Sequence, residues 1–226
     1  MRLDQYLSLC GLGSRSDVKK LIKSGKVLVN GVQRPAHYHV DGEVLVDGKV
    51  VTYKQNRYYM MHKPSGYITA KKDATHKTLG SLIEDEVSFI GRLDKDTEGL
   101  ILATNDGEMI HKLTHPKYRV EKTYYVEVSN VFLDEYIKVI EAGIKTKTTT
   151  FLPANVLKLT NTSLQLTLTE GKYHQVKRMM AYFGLEVIYL KRISFGSLTL
   201  DETLRPGEYR QLTTKEINIL KKCVFT

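Results

Sequence analysis

The chain has 226 residues, with 34 Lys and Arg against 25 Asp and Glu, a net charge of +9 that favours polyanionic partners. Its 42% hydrophobic content is enough for a real core. No apolar run approaches the roughly 20 residues that span a bilayer, and Met1-Arg2-Leu3-Asp4-Gln5 lacks the apolar centre of a signal peptide, so a soluble, cytoplasmic protein without membrane attachment is expected.

From the N-terminus, the run Ser14 to Lys26 holds five bases, Arg15, Lys19, Lys20, Lys23 and Lys26, and one acid, Asp17. Ser14 or Ser16 suits a helix N-cap, Val18, Leu21 and Ile22 have helical spacing, and Gly25 suits the C-terminal stop. The bases then lie largely off the apolar face. Val27 to Gly31 predicts a strand entering a hairpin turn, and Gly42 to Gly48 repeats that theme. The polar stretch Val51 to Arg57 predicts an interdomain linker, placed at 53–57 between a domain over 1–52 and a larger one over 58–226.

Beyond it, Tyr58 to Met61 starts a new core, and Pro64 and Gly66 mark a turn after His62-Lys63. Leu100 to Thr104 predicts a buried strand, Glu108 to Leu113 a helix stopped by Pro116, and Tyr124 to Val128 a strand. Leu133, Tyr136, Ile137 and Ile140 form one helical stripe ended by Gly143. Ser163 to Thr169 alternates strictly, Tyr173 to Phe183 predicts a basic helix, and 186–190, 193–200 and 209–212 predict strands. Strands joined by both hairpins and helices imply an α+β fold with a mostly antiparallel sheet.

Chemistry concentrates in Gly91-Arg92-Leu93-Asp94-Lys95-Asp96-Thr97-Glu98-Gly99, an acid-rich loop bounded by glycines that opens into an apolar strand. Glycine lets backbone approach a ligand closely, and loops at sheet edges carry catalytic acids. Spacing does not rank Asp94, Asp96 and Glu98, and a solvated charged turn fits it equally. Tyr124, after Lys122-Thr123, is either half-buried packing or a proton acceptor and stacking ring, with Tyr125 the alternative one residue on. In Glu170 to Met180, His174, Lys177 and Arg178 share a helical face apart from Val176, Met179 and Met180. The seven histidines form no HxH or HExxH spacing and Cys10 and Cys223 no CxxC, so no metal site is expected. Neither GxxxxGK[ST] nor GxGxxG occurs, so no nucleotide cofactor is expected.

Taken in order, these motifs resemble the RsuA/RluA superfamily of RNA pseudouridine synthases. The likeness is carried by Arg2-Leu3-Asp4, Gly13 to Ser16 and Gly25 to Gly31, which are similar to an S4 RNA-binding domain. It continues through Tyr58 to Tyr67, the Asp94 loop, Lys122-Thr123-Tyr124, Glu170 to Met180 and Leu204 to Thr213. The Tyr-His-Gln-Val-Lys-Arg form is most similar to the RsuA branch, which acts on 16S small-subunit rRNA, with a 23S large-subunit enzyme as the alternative. His62-Lys63-Pro64 departs from the Asn-Lys-Pro of some members. The resemblance implies an S4 domain followed by a catalytic domain with a mostly antiparallel mixed sheet flanked by helices. It implies isomerisation of uridine to pseudouridine in ribosomal RNA, free or in a subunit or assembly particle, by a cofactor-free monomer. It assigns catalysis to Asp94, as nucleophile or as base at the 2′ carbon, with Tyr124 on the flipped base and Lys177 as the counter-charge of Asp94, Arg178 in reserve. RNA contacts fall to Arg92, Arg178, His174, Arg2, Arg15, Lys19, Lys20, Lys23 and Lys26. Two other classes compete. A non-catalytic S4-type ribosome assembly factor has no need of the Asp94, Tyr124 and Lys177 set. A glycosidase using Asp94 and Asp96 leaves the basic helix unexplained.

Overall fold

The computed structural model describes residues 1–53 and 56–224, and the chain divides into two units between Asn56 and Arg57. The linker expected at 53–57 includes Lys54 and Gln55, which lie outside the described residues.

The first unit runs α1 (Leu3–Leu9), α2 (Arg15–Lys23), β1 (Val27–Val29), β2 (Val32–Gln33), β3 (Val44–Val46) and β4 (Lys49–Val50), with the strands in the order β2-β1-β3-β4. Ser14 caps α2 in a reciprocal box: its hydroxyl accepts from the Asp17 amide while the Asp17 carboxylate accepts from the Ser14 amide. Asn30-Gly31 and Asp47-Gly48 both take the left-handed conformation that a two-residue hairpin needs. Leu3, Leu7, Val18, Val27, Val29, Val44 and Val46 form the core, which leaves Arg15, Lys19, Lys20, Lys23 and Lys26 exposed as the periodicity implies.

The second unit contains β5 (Tyr58–Lys63), β6 (Ser88–Ile90), β7 (Glu98–Thr104), α3 (Gly107–Thr114), β8 (Lys122–Val128), α4 (Asp134–Ala142), β9 (Asn155–Lys158), β10 (Ser163–Leu168), α5 (Gln175–Ala181), β11 (Val187–Phe195), β12 (Leu198–Thr199), β13 (Tyr209–Gln211) and α6 (Thr214–Lys222). Its sheet runs β13-β5-β7-β11-β8-β10-β9, with β6 on β7 and β12 on β11. Every pairing is antiparallel except β7 with β11, so the α+β expectation holds. Strand alternation splits the core. Tyr59, Met61, Ile101, Tyr124, Val126 and Leu166 pack on one face with Ile140 and Met179, while Tyr58, Met60, Leu100 and Leu102 pack on the other with Met109, Leu113 and Leu220.

Two expected elements differ. The strands expected at 186–190 and 193–200 are largely one, β11, because Lys191-Arg192 marks no turn. Register shifts between Val187 and Tyr189 and between Arg192 and Ser194 bend it instead. The helix expected from Tyr173 starts at Gln175, because His174 takes the left-handed conformation at φ 47.

The parallel join of β7 to β11 is two residue pairs long, Glu98 with Lys191 and Gly99 with Arg192. Through it one row of the sheet runs Lys63, Gly99, Arg192, Tyr124, Leu166 and Val156, from β5 to β9. Gly99 is at φ 106, and a Cβ there would lie 2.2 Å from the Arg192 carbonyl oxygen. Gly99→Ala is therefore expected to destabilise the second unit by roughly 2–4 kcal/mol, read as a lower urea midpoint, while a neutral result would show that the join is slack.

Candidate active site

The loop between β6 and β7 is tied down by backbone and buried groups before any ligand arrives. The Thr97 amide donates to the Asp94 carbonyl at 3.1 Å, closing a turn over 94–97, and the Gly66 amide donates to the Lys95 carbonyl at 2.8 Å. The Thr69 hydroxyl donates to the Leu93 carbonyl and accepts from the Leu93 amide, both at 3.1 Å. Beneath the loop, Lys63 is fully buried, and its ammonium donates to the carbonyls of Pro64 at 3.0 Å, Lys95 at 3.1 Å and Thr97 at 2.7 Å. Burial pulls this ammonium down to about 8, against the opposing charges of Asp96, Asp94 and Glu98.

The turn sorts the three acids. Asp94 lines a small cavity of about 80 Å³ with Arg92, Thr97, Tyr124, Lys172, His174 and Leu190. Asp96 points away and takes the Lys177 ammonium at 2.6 Å on each carboxylate oxygen. Burial raises the Asp96 carboxyl, yet the Lys177 hydrogen bond and charge outweigh it and hold it below the usual carboxylate range. Glu98 accepts from the Tyr189 hydroxyl at 2.7 Å, which together with burial pushes that phenol up. The structure thus separates what spacing left unranked.

The expected pairing of Lys177 with Asp94 is not what the structure shows. The basic side chain beside Asp94 is His174, whose Nε2 lies 3.6 Å from a carboxylate oxygen. With His174 left-handed, α5 starts at Gln175, two residues later than expected, and from there Lys177 reaches Asp96 rather than Asp94. Arg178, expected on the same face, lies 5.2 Å over the Phe151 ring and donates to the Tyr173 carbonyl at 3.4 Å. Tyr124 is 8% exposed in the pocket, and Tyr125 faces the other side of the sheet, donating to Glu127 at 2.8 Å, as a one-residue step requires. Arg92 is exposed at the pocket rim and has no hydrogen bond or ion pair among the described residues.

In the first unit, Lys19, Lys20 and Lys23 line a groove of about 690 Å³ with Gln33, Arg34 and Pro35. Arg2 and Lys26 are engaged instead with Asp4 at 2.8 Å and Asp47 at 3.3 Å, and Arg15 lies outside the groove. Four residues escaped the sequence reading. Arg34 lies in the loop after β2 rather than on the basic helix. Lys63 and Arg192 are buried cations that look like surface ones in a string of letters. Gln175 is buried, its amide donating to Glu170 at 2.8 Å and its carbonyl accepting from the Lys172 amide at 2.9 Å, which latches the loop before α5.

Among the described residues no three His, Cys, Asp or Glu side chains cluster in a metal-binding arrangement, and no helix is long and apolar enough to cross a membrane. A larger cavity, about 800 Å³, opens on the opposite sheet face beside Tyr125 and Tyr189 and contains neither Asp94 nor Tyr124. The chemistry therefore favours the smaller pocket, where a carboxylate, a phenol and an unpaired guanidinium converge.

Comparison with known proteins places the chain in a family. Residues 57–182 match the family model described as RNA pseudouridylate synthase, and residues 1–43 match the S4 domain model. The chain is 44% identical to an uncharacterized RNA pseudouridine synthase, YtzG, of Bacillus subtilis, over 98% of this chain and 99% of that one. It is 40% identical to the ribosomal small subunit pseudouridine synthase A of Vibrio cholerae and 37% to that of Escherichia coli, each over 96% of this chain and 98% of the relative. A crystal structure of a pseudouridylate synthase superposes with a TM-score of 0.72 at 33% identity, covering 97% of this chain and 99% of that one.

The Lys63 clamp makes a pH prediction. The folded value, about 8, lies below the ordinary 10.5, so between them the unfolded chain holds the extra proton and this group's contribution to stability rises with pH. Over the same window the clamp loses one of its three donated protons. Turnover is expected to fall above about pH 8 without a matching fall in melting temperature, and Lys63→Met to flatten that limb. Parallel losses of both would overturn the assignment.

Proposed function

The chain belongs to the RNA pseudouridine synthase family, and from that premise we propose that its target is a uridine of small-subunit (16S) ribosomal RNA, with Asp94 and Tyr124 as catalytic residues. The family reaction converts uridine within RNA to pseudouridine. The bond between N1 and the 1′ carbon breaks, the uracil turns, and C5 bonds to that carbon while C5 loses a proton and N1 gains one. The atoms balance without any added reactant.

One observation carries the assignment: Asp94 and Tyr124, from the loop before β7 and from β8, line the same pocket. Asp94 supplies the carboxylate that acts on the ribose or base. Tyr124 packs against the flipped uracil and helps to remove the C5 proton. His174 stands at hydrogen-bonding reach of Asp94 once substrate closes the 3.6 Å gap. Lys177 acts by holding Asp96, and so the loop, rather than by touching Asp94. Arg92, free at the rim, meets a phosphate or fills the gap the uridine leaves. The groove of Lys19, Lys20, Lys23 and Arg34 adds sequence-tolerant phosphate contacts. The small-subunit target is supported by the names of the Vibrio and Escherichia relatives. The same reading has a monomer at work in the cytoplasm, on rRNA alone or within a subunit or assembly particle.

Wild-type protein offered 16S and 23S transcripts and assembled subunits, with pseudouridine mapped by carbodiimide-dependent reverse-transcription stops, is expected to modify one small-subunit position. Modification confined to 23S RNA would overturn the target. Asp94→Asn should lower turnover by about 10³-fold or more, and retained activity would remove Asp94 from its role. Lys177→Met should cost roughly 10²-fold in kcat through a displaced loop while RNA binding holds, whereas an equal loss of both would make Lys177 a binding residue only.

A further inference from the structure

Arg192 is the largest fully buried side chain among the described residues, 1% exposed, in the middle of the row that joins the loop strand β7 to the Tyr124 strand β8. A guanidinium keeps its charge in proteins, and a buried charge ordinarily faces a carboxylate. Arg192 makes no ion pair among the described residues. Its Nε donates to the Leu100 carbonyl at 2.7 Å, its plane lies 5.2 Å from the Phe195 ring, and Nη2 has no partner among them. Its cross-strand neighbour is Tyr124; burial pulls the guanidinium's value down, and Tyr124 opposes that fall.

We propose that Arg192 is the positioning residue of Tyr124, orienting the phenol oxygen toward the C5 proton of the substrate uridine; this rests on the catalytic reading of Tyr124 given above. Three features converge on it. The Gly99 join brings Arg192 within a strand spacing of the loop, since a Cβ at 99 would strike the Arg192 backbone. Register places Arg192 and Tyr124 side by side on one face of the sheet, not across it. Nε is fixed on Leu100, so the planar fork presents its remaining N–H groups in a set direction, as a flexible ammonium does not. A stacked or packed ring alone leaves the hydroxyl free to point elsewhere, and a donor held in this way removes that freedom.

The test uses the full-length protein and an rRNA substrate whose target uridine carries protium or deuterium at C5. Arg192→Gln is expected to lower kcat by about 10²-fold with KM for RNA within about twofold, and to raise the deuterium isotope effect because C5 deprotonation becomes slower. Arg192→Lys is expected to recover part of kcat and part of the isotope effect. A kcat loss with an unchanged isotope effect marks a structural role and overturns the proposal, as does wild-type turnover in Arg192→Gln. Should Arg192→Gln fail to fold by circular dichroism, Arg192→Lys is read alone: a lower kcat with a raised isotope effect supports the proposal, and any other result overturns it. Inactive wild-type protein would instead count against the catalytic reading itself.

Discussion

Two buried cations with a glycine between them hold the site together. Lys63 and Arg192 flank Gly99 in one row of the sheet, and both are essentially removed from water. Each costs several kcal/mol of desolvation that a surface cation does not. Lys63 recovers this through three carbonyls, two of them in the loop, and through the acids of the loop above it. That arrangement accounts for a short turn carrying Asp94, Asp96 and Glu98 together: their mutual repulsion is offset by a charge underneath. Arg192 has no such acid, and its compensation is a carbonyl and an aromatic face. With a side chain at 99 the strands could not approach, and Asp94 on one strand's approach and Tyr124 two strands away would lose their common frame.

Legibility followed the physics of each level. The 91–99 loop stood out in the sequence because glycines and acids at a strand entrance are local signals, like the Ser14 cap and the Asn30-Gly31 turn, while the choice of Asp94 among its acids rested on the family resemblance. The fold class showed because period-2 runs such as Leu164, Leu166 and Leu168 were intact. The partner of Lys177 did not show, since it depends on which way the 94–97 turn aims its carboxylates and on a left-handed His174, and neither leaves a mark in spacing. Lys191-Arg192 looked like a polar interruption between two strands. It is the opposite, the place where one long strand meets the loop strand, because a buried Arg with carbonyl and ring partners counts as core while scoring as surface.

The +9 net charge is likewise less uniform than it reads. Attraction for RNA comes from releasing counterions at phosphates, and a base already paired inside the protein must first give up that pair. In the catalytic unit Lys177 is held by Asp96, Lys172 lies 3.1 Å from Glu170, and Arg210 is shared by Asp201 and Glu216. These bases shape loops. Lys19, Lys20 and Lys23 have no internal ion pair among the described residues and line an open groove. Those three bases keep their charge for an outside partner, while the three paired bases of the second unit do not. Among the described residues lining the Asp94 pocket, Arg92 is the one permanent cation with no internal partner. Its charge is the part of the pocket's field that no described side chain neutralises.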